Sequence, residues 1–497
     1  MFPVKKELIL GLDIGSSSVR GALFEPSGKI VPKTLVRDQR MLTATRDGGA
    51  EIDADKAFRQ VIATIDAVFS RAAHSNATIT TVASCTFWHS LMGIDDYGKP
   101  TTPVYGWADN RSRGLVEPLR KRFNESETHN RTGVRFHSSF WPAKLLWIRK
   151  RQPETWARTA RWMSFGDYVS LKLFGQIVTG VSMASGTGIF DLRKCEWDAD
   201  LLEYLKITSR RLPPVASPSD DLTLKLTSKW QKHWPRLSNA EWKLPVADGV
   251  ASNIGSGCIN ETKAALMIGT SGALRVVYRG DPPKKIPSGL WCYRVDRERV
   301  VVGGALSDGG GLYDRLKQIL RVDMSDAAIG KEMARRGADA HGLTLMPFFA
   351  GERSTGYNEN GAGSIHGLTM AHDAVDILQA AMESVAYRFA GILDQLRSVF
   401  PKLDVVASGG ALNASPVWAQ IIADVLGRDI LITNEPEASL RGAVLLALKN
   451  TGKIDLTDTF SAAKTKTISF HPECHAIYRT ARKRHQGVYE ATQRSDP

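Results

Sequence analysis

Two stretches of this chain repeat one pattern, and the repetition restricts the folds open to it more than any other feature. Leu8 to Leu12 form an apolar run that leads through Asp13 and Ile14 into Gly15, Ser16, Ser17 and Ser18, followed by Val19, Arg20 and the run Gly21 to Phe24. Far downstream, Ala264 to Ile268 lead into Gly269, Thr270, Ser271 and Gly272, and apolar residues resume at Ala273, Leu274, Val276 and Val277. Each copy reads as a β-hairpin whose turn exposes backbone N–H groups and hydroxyls, donors able to wrap around phosphate oxygens. Taken alone, either turn is also an ordinary hairpin. In register, Ile14-Gly15-Ser16-Ser17 matches Ile268-Gly269-Thr270-Ser271, which sets Asp13 opposite Met267. Two copies imply duplicated halves that face one nucleotide. Only the first carries a carboxylate beside its turn, and a hard cation bridging phosphates takes one or two carboxylates plus waters. Asp13 is therefore the candidate metal ligand, for Mg²⁺.

A second acid lies just ahead of the later hairpin. Asp248 ends a short apolar strand and runs into Gly249, so its carboxylate is expected to leave the sheet at a turn, well placed for a general base. The plain alternative for an Asp-Gly step is a surface turn.

The segments between carry binding chemistry. Residues 51 to 73 have helical spacing of Phe58, Val61, Ile62, Ile65 and Val68 and read as core. A strand near Thr81 to Ser84 delivers Trp88 and His89 into a loop, an aromatic and a hydrogen-bonding ring together. The next loop holds Trp107, Asp109 and Arg111: a flat apolar face, an acceptor and a forked donor, a mixture suited to a polyol. The guanidinium would also hold a carboxylate in bidentate fashion, while an internal Asp109–Arg111 ion pair is the alternative. Residues 140 to 148 centre on Lys144, which is given no catalytic role. Ser209 to Leu244 has four prolines, Pro218 among them, and tryptophans at 230, 234 and 242, and reads as the connection between halves. The strand Val300 to Val302 precedes Gly303, Gly304, Asp308, Gly309, Gly310 and Gly311, a glycine density that brings backbone close to a ligand or to a neighbouring helix. Asp308 there either touches metal or caps the following helix. A helix from Ala374 to Leu396, a strand from Asp404 to Ala407, then Gly409, Gly410, Ala411 and Asn413, and a helix from Pro416 to Leu426 close the series.

With 497 residues, 43% of them hydrophobic, the chain is large enough for more than one domain with sizeable cores. No uninterrupted apolar run is long enough to span a bilayer, and Met1 to Glu7 has no apolar signal region, so no membrane partner and a cytoplasmic location are expected. Five scattered cysteines without a C-x-x-C pair oppose a disulfide framework and a zinc site. The net charge of +13 is dispersed along the chain, which disfavours a nucleic-acid partner and suits steering of small anions, although solubility explains it as well.

From about residue 8 to about residue 450, the chain resembles the FGGY family of carbohydrate kinases. The residues that carry the resemblance are the two turns, Trp-Ala-Asp-Asn-Arg-Ser at 107–112, His-Ser-Leu-Met at 89–92, Gly-Glu-Arg at 351–353, and the block Ser408 to Asn413 with Trp418, Gln420, Ala423, Asp424 and Glu437 to Ala443. It departs from the family pattern at Trp141, Arg151, Ser354-Thr355 and Asp308, the last standing where Asn is common. The resemblance implies an α/β fold of two actin-like/hexokinase-like (ribonuclease H-like) domains with ATP and sugar in a central cleft. It implies residues 1–245 as a sugar-binding domain, 246–455 as a nucleotide-binding domain carrying Asp248, and 456–497 as a tail. Gly15 to Ser18, Gly269 to Gly272, Gly309, Gly310, Gly409, Gly410, Ala411 and Asn413 would meet ATP. Trp88, His89, Trp107, Asp109, Arg111 and Asp248 would meet the sugar. Within the family the loops resemble gluconate kinases most, which implies transfer of the γ-phosphate of Mg-ATP to gluconate. A neutral pentulose or polyol such as xylulose is the alternative substrate, and an actin-like ATP-binding module without kinase activity the alternative of another class. Oligomeric state is left open, a homodimer included.

Overall fold

The structure is a computed structural model that describes residues 6–40, 42–74, 76–216, 224–433, 435, 437–456 and 465–493; Met1 to Lys5 and Pro218 lie outside these. Two units are each built on a mixed sheet. The first contains β1 (Glu7–Ile14), β2 (Ser18–Phe24), β3 (Val36–Gln39), β4 (Thr78–Thr86) and β5 (Glu241–Trp242) in the order β5-β4-β1-β2-β3, with β6 (Val246–Ala247) also pairing with β4. The second contains β7 (Lys263–Ile268), β8 (Gly272–Arg279), β9 (Trp291–Arg294), β10 (Arg299–Leu306), β11 (Asp404–Ser408), β12 (Ile430–Thr433) and β13 (Thr465–Ile468) in the order β9-β10-β8-β7-β11-β12-β13.

The sequence repeat is a repeat of topology. β1 pairs antiparallel with β2 and parallel with β4, while β7 pairs antiparallel with β8 and parallel with β11. A strand flanked in this way is covered on both faces, which is why both copies begin as near-continuous apolar runs; every residue of β1 after Glu7 is buried.

Helices α1 (Ala54–Arg71) and α2 (Phe165–Phe174) serve the first unit. α1 is capped by Asp53, whose carboxylate accepts the Lys56 N–H, and buries Phe58, Val61, Ile65 and Val68. The second unit carries α4 (Gly310–Ile319), α5 (Ala374–Arg397), α6 (Gly410–Ala414) and α7 (Pro416–Leu426), preceded in the chain by α3 (Asp248–Gly255). Two expectations change. The tryptophan-rich stretch is no bare connector, since Trp230, Trp234 and Trp242 pack into the first core. The expected tail completes the second unit: β13 pairs antiparallel with β12, and helix α9 (Pro472–Thr492), which follows α8 (Ala438–Asn450), sinks Tyr478 and Ala481 into the second core.

The halves are locked by α3 and α8. α8 packs Leu440, Val444 and Leu448 with Ile9, Phe24 and Ala83 of the first sheet, although it belongs to the second half of the chain. α3 lies on α8 with backbone nearly touching backbone: a Cβ on Gly255 would overlap the Ala438 carbonyl, and one on Gly442 the Ala251 carbonyl. Among the described residues no helix is long and apolar enough to cross a membrane.

Gly255→Ala is expected to destabilise the protein by about 1–3 kcal/mol through overpacking against rigid backbone. Gly487→Ala on α9, where a Cβ meets nothing within 4 Å, is expected to leave stability unchanged or to raise it by about 0.5–1 kcal/mol. Calorimetric melting of the two variants checks the contrast, and equal shifts would refute it.

Candidate active site

The two turns have the same build. Gly15 N–H donates to the Ser18 carbonyl at 2.9 Å and Gly269 N–H to the Ser271 carbonyl at 2.9 Å, closing each bend on itself. The glycine N–H groups are thus spent on shape. Among the described residues, the N–H groups of Ser16, Ser17, Thr270 and Ser271 bond to no backbone or side-chain acceptor, so these residues offer the open donors. Gly272 lies in the ladder opposite Ile268 and Leu306, which corrects the expectation that all of Gly269 to Gly272 present N–H groups.

The glycine run after β10 cradles the second turn. Gly309 and Gly311 N–H groups donate to the Thr270 carbonyl at 3.0 and 3.1 Å, and Gly310 N–H to the Gly269 carbonyl at 2.7 Å. A Cβ on Gly309 would stand 2.7 Å from the Ser271 carbonyl, and one on Gly310 2.8 Å from that of Gly269. The density of glycine is explained by this approach of backbone to backbone. Gly409, at φ +110°, likewise presses on the Ile268 carbonyl, and Gly410 and Ala411 open α6 beside it. Together Gly269, Thr270, Gly310, Gly311, Gly410, Ala411, Ala414 and Trp418 line a cavity of about 370 Å³ that begins at the turn. Asn413 is exposed and lies beside that lining, between Ala411 and Ala414.

Asp248 is the first residue of α3, not a turn residue, because the Asp-Gly step falls where β6 hands over to a helix. Its Oδ1 accepts the Gly249 N–H at 2.7 Å; Oδ2 has no partner among the described residues. Burial, then the neighbouring Asp13 carboxylate, push its pKa up to about 6, against the pull of Arg275. Asp13 is 1% exposed. Its Oδ2 lies 2.6 Å from a terminal nitrogen of Arg20, its register partner across the hairpin, yet neither oxygen is aligned as a hydrogen-bond acceptor. Burial raises its pKa as well. Arg20 reaches on to Glu437, which also pairs with Arg37.

The sugar-loop residues divide into two groups. Trp88 is buried, donates its indole N–H to the Ser182 carbonyl at 2.9 Å, and packs 4.7 Å from the Tyr293 ring of the opposite unit. His89, at φ +64°, has Nδ1 2.5 Å from the Gly186 carbonyl. Burial holds its pKa down to about 3, so the ring is neutral. The Trp107 ring carries the Arg353 guanidinium at 4.5 Å, a contact across the cleft. The other group is engaged internally. Arg111 Nη2 lies 2.5 Å from Asp109 and 2.6 Å from Glu51, its plane resting on the rings of Tyr105 and Trp147, and Asp109 also accepts the Ala50 N–H. The internal ion pair, weighed from sequence as the alternative, is the arrangement found. Asp308 does not cap α4, whose N-cap is Gly309; it accepts the Ala350 N–H at 2.9 Å and so ties down the Gly-Glu-Arg loop.

Three cations to which sequence reasoning assigned no catalytic or binding role lie near Trp88 and His89. Lys144 is fully buried, donates to the Ser138 carbonyl, and is drawn down to about 8 by burial. Arg353 donates to the Leu306 carbonyl at 2.8 Å. Arg275, on β8, is 4% exposed. The signal for Arg275 was present as one charge in an otherwise apolar strand, Ala-Leu-Arg-Val-Val.

Paired sheets of repeated topology, two turns with open donors and a desolvated carboxylate at the junction define a two-domain phosphotransferase of the actin-like fold. The chain belongs to the FGGY family of carbohydrate kinases, whose N-terminal domain model matches residues 8–236 and whose C-terminal domain model matches residues 264–451. It is 29% identical over 468 residues to a gluconokinase of Bacillus subtilis (strain 168), covering 91% of this chain and 89% of that protein. It is 25% identical to a xylulose kinase of Staphylococcus xylosus, covering 97% of this chain and 98% of that one. The gluconate kinase of Lactobacillus acidophilus has a similar structure, with a TM-score of 0.88 at 26% identity over 99% of both chains. The xylulose kinase of the same organism also gives 0.88 at 26%, over 98% of both chains. The chain is therefore a sugar kinase that transfers phosphate from ATP to an alcohol, and the binding-module alternative falls away.

Ala411→Leu, which fills the cavity beside the second turn, is expected to raise the KM for ATP about tenfold while leaving the sugar KM in place. Initial-rate kinetics with each substrate varied in turn check this, and a matched rise in both constants would contradict it.

Proposed function

We propose that the enzyme phosphorylates gluconate at its terminal hydroxyl, giving 6-phosphogluconate, with Asp248 as general base. The observation that carries the base assignment is the position of Asp248, desolvated at the head of α3, with Oδ1 fixed by Gly249 and Oδ2 open. A carboxylate pushed up to about 6 is a far better proton acceptor than an ordinary aspartate and is still ionised at neutral pH. Oδ2 takes the proton of the sugar hydroxyl as its oxygen attacks the γ-phosphorus in line and the bond to the β,γ-bridging oxygen breaks, releasing ADP; Ser16, Ser17, Thr270 and Ser271 offer N–H groups to the phosphate oxygens. The contacts of Trp107 with Arg353 and of Trp88 with Tyr293 join the two units, and closure of the units over the reactants would exclude water.

Mg²⁺ fits this setting. Asp13 is buried, has Arg20 as its ion-pair partner, and stands beside the first turn and near Asp248. Hard oxygen donors at a phosphate site are what this ion takes. Bound there through Asp13, it would neutralise charge on the transferred phosphoryl group. The enzyme of this reading works in the cytoplasm, where its ATP is.

The choice of gluconate rests on the likeness to gluconokinases and on the cations near Trp88 and His89, where Lys144 and Arg275 are buried and Arg353 is half-buried. The runner-up is a neutral pentulose, favoured by the likeness to xylulose kinases. A kinase assay across gluconate, xylulose, ribulose and glycerol decides between them. The expected result is turnover of gluconate at a kcat/KM well above the others, and activity confined to neutral sugars would remove gluconate.

Asp248→Asn is expected to fold, bind ATP and lose about 10²–10⁴-fold in turnover. In the wild-type enzyme, kcat/KM for the sugar should fall tenfold per pH unit below about 6 as Oδ2 becomes protonated. Stability runs the other way. With a folded pKa above the unfolded value of about 3.9, Asp248 contributes most to stability below that value, and the contribution is lost as pH rises through about 6. At pH 8 the Asn variant should therefore melt no lower than wild type. A variant that keeps near-normal turnover ends the base assignment.

A further inference from the structure

We infer that Arg275 recognises the acid end of the sugar substrate, so that acceptance of a sugar acid is decided on β8 and not at Arg111. This rests on the reading of the substrate as gluconate and names the residue that selects it.

Arg275 lies on the face of β8 shared with Val277, which packs with Trp88, Trp291 and Tyr293. Leu274 and Val276, on the other face, enter the second core. The Arg275 side chain is 4% exposed, and its Nε and Nη2 have no hydrogen-bond partner. Among the described residues no carboxylate lies within ion-pair distance of it. A buried guanidinium without partners is costly to keep and is rarely left so unless a ligand completes it. Arg111 differs in each respect: its Nη2 already lies between Asp109 and Glu51.

Two glycines make room for the Arg275 side chain. On the neighbouring strand, a Cβ at Gly303 would stand 2.8 Å from Arg275 Cγ. Its head lies over Gly249, where a Cβ would overlap Nη1 and stand 3.0 Å from the Trp88 ring. The charged end is thus next to Asp248, which acts on it only at longer range than an ion pair. β8 itself starts at the phosphate-facing turn, and at about 3.3 Å per residue Arg275 stands roughly 10 Å along the strand from Gly272. A six-carbon acid whose reacting hydroxyl meets Asp248 has a flexible chain, and curling it brings the carboxylate back to this guanidinium, which stands beyond ion-pair reach of Asp248. The planar fork suits that group bidentately, and Arg353 adds a second positive charge nearby.

The test uses the full-length enzyme with gluconate and Mg-ATP, comparing wild type, Arg275→Met and Arg275→Lys. The expected result for Met is a loss of about 100-fold in kcat/KM for gluconate, carried by KM, with the acid limb of the pH profile still near 6 and the ATP KM unmoved. Lys should recover about a tenth of the lost efficiency or more. Without sugar, the Met variant should melt at or above the wild-type temperature, since an unpartnered buried charge is gone, and gluconate should stabilise it less than it stabilises wild type. A loss in kcat with the acid limb displaced would overturn the inference, because Arg275 would then act only by tuning Asp248. So would an unchanged gluconate KM, or a lower melting temperature with no change in gluconate stabilisation. Wild-type enzyme that ignores gluconate and phosphorylates neutral sugars removes the substrate reading and this inference together; wild-type activity on gluconate with Met unaffected removes this inference alone.

Discussion

The contact of α3 with α8 is the constraint on which the rest depends. Gly255 and Gly442 let the two helices meet backbone to backbone, and a Cβ at either place would force them apart. α8 is at the same time seated on the first sheet through Leu440, Val444 and Leu448. The head of α3, and with it Asp248, is therefore fixed against β1 and β4 as well as against its own unit. Glu437, immediately before α8, reaches Arg20, and Arg20 reaches Asp13. One helix pair thus sets the separation of the two acids and their relation to both turns.

Around this frame the cleft stores electrostatic cost. Asp13 is withdrawn from water beside the half-buried Asp248, burial raises the pKa of both, and Arg275, Arg353 and Lys144 are cations whose charged forms burial disfavours. None of these would be retained for stability alone, since an apolar replacement of similar volume would do as well or better. Strongly perturbed charges gathered in this way are characteristic of sites that a ligand completes. His89 shows the complementary strategy: held neutral by burial and fixed through Nδ1 to Gly186, it can meet a sugar hydroxyl without adding charge.

The parts of the site that sequence made legible were those in which adjacent residues act together. The matched turns are local: an apolar run, a glycine and small hydroxyl residues are enough to specify a hairpin with open N–H donors. The glycines at 309 to 311 pointed correctly to a close approach, but the partner proved to be the Thr270 and Gly269 carbonyls, a fact that depends on how β10 returns beside β8. Arg111 was misleading for the same reason. A guanidinium two residues from a carboxylate can face a ligand or its neighbour, and Glu51, distant in the chain, settles it inward. Arg275 gave only a faint signal, because a lone charge in an apolar strand does not reveal which face it takes or what lies above it.

The sequence by itself determined the duplicated architecture, the turn chemistry and the acids at 13 and 248, because hydrophobic periodicity and glycine placement act over a few residues. Tertiary structure alone decided that Asp248 opens a helix, that residues 465–493 complete the second unit, and which cations are held in internal ion pairs. Those outcomes turn on which distant backbone or carboxylate comes within hydrogen-bond reach, and no local pattern encodes that distance.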